Sequence, residues 1–134
     1  MRSIFKAFGV AEVLLTLVLT DILLALMGGA RTIRLAGWLT RGRASSAEPS
    51  CESTLNRIRE SYAAATRVYP RHVECLQRAL TVFVLSRRRH IQLRFHISVR
   101  KFPFASHAWV EYEGPFFPDE RTLVLSLTTI LTLE

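Results

Sequence analysis

Hydrophobic positions fall into three regimes along this chain, and each predicts a different kind of element. From 4 to 27 the residues are almost continuously apolar, with the runs Val13-Leu14-Leu15, Leu17-Val18-Leu19 and Ile22 through Met27. That length is sufficient to span a bilayer. Glu12 and Asp21 interrupt it, and an Asp at the membrane centre costs about 2.5 to 3.5 kcal/mol. Glu12, Thr16 and Thr20 recur at every fourth position, a narrow polar stripe that suits a helix buried on most sides. Three readings of this helix stand: packing against the rest of the domain or a partner protein, membrane contact through residues 4–27, or a cleaved segment. For the last, Met1 to Lys6 supply a basic start and Gly28-Gly29-Ala30 a small-residue site.

The second regime has helical spacing. A short helix is predicted over Arg31 to Leu39, then a linker where Gly42 and a Ser/Pro stretch run to about residue 51. From Ser53 the residues Leu55, Ile58, Tyr62 and Ala65 share one helical face, and Tyr69-Pro70 ends that helix. A further helix opens near Cys75, where Leu76, Ala79, Leu80, Phe83 and Val84 give the broad apolar surface of a central, nearly enclosed element. The third regime alternates. Ile91, Leu93, Phe95, Ile97 and Val99 take turns with Gln92, Arg94, His96 and Ser98, which predicts a half-buried strand with His96 on its solvated face. Residues 107–119 read as two short strands around a turn. Leu123, Leu125 and Leu127 predict one more strand within Thr122–Leu133. Helices first and antiparallel strands afterwards indicate an α+β fold, a helix packed on an antiparallel sheet, preceded by apolar N-terminal helices. The expected division is an apolar helical region at 1–44, a linker at 45–51 and the α+β domain at 52–134.

Composition narrows the choice of partners. One hundred and thirty-four residues suit one small domain. The hydrophobic share of 49% and mean hydropathy of +0.20 are high, and the excess lies mostly before residue 40. Of the eighteen Lys and Arg residues behind the net charge of +7, sixteen are Arg, which favours acidic partners. The dense cluster Arg87-Arg88-Arg89 falls where the Cys75 helix should end, and cations there complement the helix dipole. Without aromatic interleaving or a nucleic-acid motif, no nucleic-acid partner is expected. The histidines at 72, 90, 96 and 107 and the two cysteines make no zinc pattern, and the glycines form no phosphate loop, so neither metal nor cofactor is expected.

Cys75, His107 and Asp119 carry the candidate chemistry: in this order they are a thiol nucleophile, its base and the base's orienting carboxylate. A helix N-terminus collects positive partial charge and favours a thiolate, whereas the adjacent carboxylate of Glu74 opposes one unless it points into water. If Tyr112, Glu113 and Gly114 form a three-residue loop with Gly114 in the left-handed conformation, Glu111 lies opposite Pro115 and His107 opposite Asp119. A two-residue turn places Glu120 there instead and makes it the reserve carboxylate. Pro115 and Pro118 cannot donate to a ladder, so the second strand should be an edge or irregular. Cys51 follows the polar linker and is read as incidental.

At Cys75-Leu76, the alternating strand, the segment Phe102-Pro103-Phe104-Ala105-Ser106-His107-Ala108-Trp109-Val110-Glu111, Gly114 and Asp119, the chain resembles the leader peptidases of lasso-peptide biosynthesis. These belong to the transglutaminase-like, papain-like cysteine proteases. The likeness covers about residues 52 to 120, and the apolar N-terminal helices look like that family's usual preface. It implies removal of the leader from a ribosomally made precursor peptide through a thioester on Cys75, with His107 as base, Asp119 as orienter and the backbone N–H of Cys75 as one oxyanion donor. Nothing before residue 50 reads as a leader-recognition domain, so the likeness is to the split form. That form takes a separate recognition protein as partner and passes its product to an ATP-dependent cyclase, in the cytoplasm or against its membrane. Two positions depart from the family, which commonly has Gly at the places of His90 and Ser98. Two other readings remain: amide-forming acyl transfer on the same fold, and a non-catalytic membrane-associated adaptor.

Overall fold

A computed structural model describes residues 1–41, 51–112, 115–117 and 121–134. Helices α1 (Arg2–Met27), α2 (Gly29–Leu39), α3 (Cys51–Val68) and α4 (Cys75–Arg88) precede strands β1 (Arg94–Arg100) and β2 (Ala105–Glu111). The short helix α5 (Arg121–Leu125) and strand β3 (Thr128–Leu133) follow. The three strands form one antiparallel sheet in the order β2-β1-β3, and α4 packs against β2 and β1. The fold class is α+β, with the helix opened by Cys75 lying on the sheet.

Two strand boundaries differ from expectation. Ile91 and Leu93 are buried but precede β1, which begins at Arg94. The Leu123, Leu125, Leu127 alternation does not form a strand: residues 121–125 are helical and only Thr128–Leu133 joins the sheet. Alternation signals a strand when one face is buried, yet Leu125 is 82% exposed. The pairing partners of β1 are Thr128, Thr129 and Leu131 to Leu133, the register shifting at Ile130.

The long apolar helix is part of this core. Val13 and Leu17 of α1 and Ile33 and Ala36 of α2 join Leu55, Ala65, Leu80, Phe83, Phe95 and Val110 in a single buried cluster. Gly9 allows α1 to cross α3 closely, since a Cβ there would sit 2.6 Å from Ser61 Oγ. At Gly28, φ is +78°, a left-handed turn that glycine adopts without steric cost and that redirects the chain from α1 into α2. Both acids within the apolar run are neutralised by the body of the protein. Arg71 reaches Asp21 at 2.6 Å, and Arg88 and Arg89 both pair with Glu12. The threonine stripe satisfies itself: the hydroxyls of Thr16 and Thr20 donate to the carbonyls four residues earlier.

The C-terminus of α4 follows a Schellman pattern. The N–H of Ile91 donates to the Ser86 carbonyl and that of His90 to Arg87. His90 takes the left-handed position, φ +59°, where glycine is the usual occupant. Of the triple arginine, only Arg88 and Arg89 face the Glu12 carboxylate; Arg87 is buried, stacks on Phe83 at 5.3 Å, and its pKa is lowered by desolvation.

Candidate active site

Cys75 is the first residue of α4, and the turn that delivers it follows from Pro70 and the extended backbone at Glu74. The Glu74 carbonyl accepts the Arg78 N–H at 2.9 Å, which closes the first helical turn. Its carboxylate is exposed and makes no capping hydrogen bond, so it faces water rather than the thiol.

His107 lies on β2, half-buried, and its side chain is hydrogen-bonded to the Cys75 thiol. This contact is the largest influence on the thiol and lowers its pKa below the ordinary value. Partial burial pushes the other way, because desolvation disfavours the thiolate. Backbone N–H groups of Ala108 and Leu76, together with the charge of His107, add to the lowering. Two elements distant in sequence, a helix start and a strand, thus bring sulfur and imidazole together. Chemically, such a pair holds a thiol in its nucleophilic form beside a group able to take and return a proton.

Beyond β2 the chain turns back, with Glu113 and Gly114 of the expected loop outside the described residues. Glu111 bridges Pro115 in antiparallel sense, and the Phe116 N–H donates to the Val110 carbonyl at 2.8 Å. Asp119 and its reserve Glu120 lie outside the described residues. The approach to them is held by two arginines. Arg59 Nε donates to the Phe116 carbonyl at 2.9 Å while its guanidinium covers the Phe116 ring at 4.4 Å. Arg78, one turn after Cys75, lies 3.5 Å from the Phe117 ring centre. The segment is therefore anchored to α3 and α4 by planar cations on aromatic faces.

Gln77, two residues after Cys75, and Cys51, read from the sequence as incidental, serve structural ends. Gln77 is buried and its Nε2 donates to the Leu17 carbonyl (3.1 Å) and the Tyr69 hydroxyl (3.3 Å); Tyr69 in turn donates to Asp21 (3.2 Å). Cys51 is a buried free thiol at the start of α3, among core residues. Among the described residues, no three His, Cys, Asp or Glu side chains group as a metal site.

His96 corrects the sequence reading. It is not solvated: it is 8% exposed, bonded to Thr132 Oγ1 (3.0 Å) and Glu111 Oε2 (2.8 Å), and stacked on Trp109 at 4.4 Å. Trp109 Nε1 donates to Ser98 Oγ at 3.0 Å, and Ser98 contacts Thr129 Oγ1 at 3.1 Å. Directly opposed residues share a face, and β1 and β2 pair His96 with Trp109 and Ser98 with His107. A polar layer thus covers the second sheet face beside His107. The signal was available in the i, i+2 spacing of His107, Trp109 and Glu111, but only the register of β1 against β2 shows what lies opposite.

A thiol at a helix start against a strand histidine, with the helix laid on an antiparallel sheet, is the layout of a cysteine protease or acyltransferase fold. A model of the transglutaminase-like superfamily matches residues 16–132, from the middle of α1 through most of β3, and the chain belongs to that superfamily. Its members are generally cysteine-dependent enzymes. No curated protein and no solved structure matches the chain.

Proposed function

We propose that this protein is a cysteine peptidase that removes the leader from a ribosomally synthesised lasso-peptide precursor. The observation that carries the chemistry is the hydrogen bond from the His107 side chain to a thiol whose pKa it lowers. The choice of substrate rests on the sequence resemblance along residues 52 to 120.

In this reading the Cys75 sulfur attacks the carbonyl at the leader junction. His107 takes the thiol proton and gives it to the departing amine of the core peptide. The leader remains as a thioester on Cys75 until water, deprotonated by His107, releases it as a carboxylic acid. Asp119, or Glu120 in the alternative register, orients the imidazole, and the Cys75 N–H contributes to holding the tetrahedral oxyanion. A separate leader-recognition protein brings the precursor, and the released core passes to an ATP-dependent cyclase. No resident cofactor or metal enters the scheme.

The test is mass spectrometry of a precursor incubated with the recognition protein and either the parent chain or Cys75→Ala. Leader removal by the parent and none by a folded Cys75→Ala supports the mechanism; unchanged cleavage by Cys75→Ala removes it. Adding a primary amine separates hydrolysis from acyl transfer, because amine capture changes the mass of the released leader while hydrolysis leaves a free acid.

A further inference from the structure

The outer face of α1 is apolar and uncovered. Phe8, Leu15, Val18, Leu19, Ile22 and Leu26 all face outward, with Phe8 71%, Leu15 70% and Leu26 79% exposed. At 100° per residue these positions, with Ala11 and Ala25, fill an arc of about 120° that contains no polar side chain. A seam for a single partner helix is narrower and is flanked by charges that select the partner. Here the acids beside the arc, Glu12 and Asp21, are turned to Arg88, Arg89 and Arg71 of the protein's own body.

The remaining charge on this helical pair is entirely positive. Through residue 41 the other charged side chains are Arg2, Lys6, Arg31, Arg34 and Arg41. On α2, Arg31, Arg34 and Trp38 are exposed at positions three and four residues apart, which is one helical face, and Trp38 is 66% exposed. An indole flanked by guanidinium groups suits the headgroup level of a bilayer, and basic residues near an apolar face suit anionic lipid.

We infer that α1 and α2 dock the protein on an anionic membrane surface, with α1 lying in the plane of the interface and not crossing it. Crossing would strip Val13, Leu17 and Thr20 from the core and break the bonds of Gln77, Arg71 and Arg89 to this helix. Lying in plane preserves all of these and buries only what is exposed. The inference is independent of the proposed peptidase activity.

The experiment is flotation of the full chain, synthesised in the presence of vesicles of phosphatidylcholine alone or mixed with phosphatidylglycerol. Expected are flotation with the mixed vesicles, release by alkaline carbonate, and binding weaker by about tenfold on the neutral ones. Leu15→Glu combined with Leu26→Glu should abolish flotation while circular dichroism and Cys75 alkylation stay unchanged, because both side chains are exposed. Arg31→Gln with Arg34→Gln should reproduce the weaker neutral-vesicle binding on mixed vesicles. Equal flotation on both compositions, or by the Leu15→Glu/Leu26→Glu chain, overturns the inference. So does resistance to carbonate, which means a spanning helix, or a vesicle-free dimer that Leu15→Glu splits, which means a second copy covers the face.

Discussion

Replacing Leu17 by Ala tests whether α1 is a structural member of this domain. Leu17 is fully buried, its carbonyl accepts the buried Gln77 amide, and its side chain belongs to the same cluster as Leu80 and Phe83. Truncation to Ala removes three carbon atoms, worth about 2.4 kcal/mol at roughly 0.8 kcal/mol each. The cavity left behind adds to this, since α3 and α4 are tied elsewhere and cannot close fully around it. The expected loss is about 3 to 4 kcal/mol, within the range of buried leucine truncations. Leu15, two residues earlier and 70% exposed, is the internal control and should change stability by no more than about 0.5 kcal/mol. Urea unfolding followed by circular dichroism, with the slope of the transition unchanged, gives both numbers. A Leu17→Ala cost below about 1 kcal/mol, or one equal to that of Leu15→Ala, would show that α1 is an appended segment and refute the packing argument.

Two further substitutions probe the frame around the site. Arg59→Ala removes a charge-assisted bond to the Phe116 carbonyl and the cation over its ring; a loss of about 2 kcal/mol in urea unfolding is expected, with leader removal reduced further than that loss explains. His90→Gly relieves a left-handed residue at the end of α4 and should stabilise by about 0.5 to 1 kcal/mol, the strain relief exceeding the added freedom of the unfolded chain; a lower thermal midpoint would contradict this.

Much of the frame was readable in the sequence because local rules decide it. Pro70 and the apolar spacing after Cys75 locate the start of α4, and the Glu111–Pro115 bridge is the pairing that a three-residue loop predicts. His90, where the resemblance leads one to expect glycine, has a positive φ, the conformation that glycine adopts most readily. What sequence spacing could not supply was the environment of the second sheet face. Gln92, Arg94, His96 and Ser98 look alike as polar alternates. Yet β1 is the central strand, and Trp109 and Thr132 from its two neighbours enclose His96 while Arg94 stays exposed. The leucines at 123 and 125 misled for the opposite reason: their spacing resembles a strand, but nothing buries them. The acids in α1 spoke against a membrane span by composition; their partners, Arg71 and Arg88-Arg89, are fifty or more residues away and become visible only in three dimensions.

The thiol of Cys75 ionises below its ordinary range because His107 holds the thiolate. Its stabilising effect on the fold is therefore present above the unfolded thiol's pKa and is lost as pH falls through the folded one. The most direct test of the Cys75–His107 pair is the pH dependence of iodoacetamide alkylation at Cys75, read by peptide mass mapping in the parent chain and in His107→Ala. The buried Cys51 serves as the unreactive reference. The pair predicts that the parent alkylates rapidly at a pH where a free cysteine is still protonated, and that His107→Ala moves the profile upward with the fold intact. Superimposable profiles in the two proteins would contradict it.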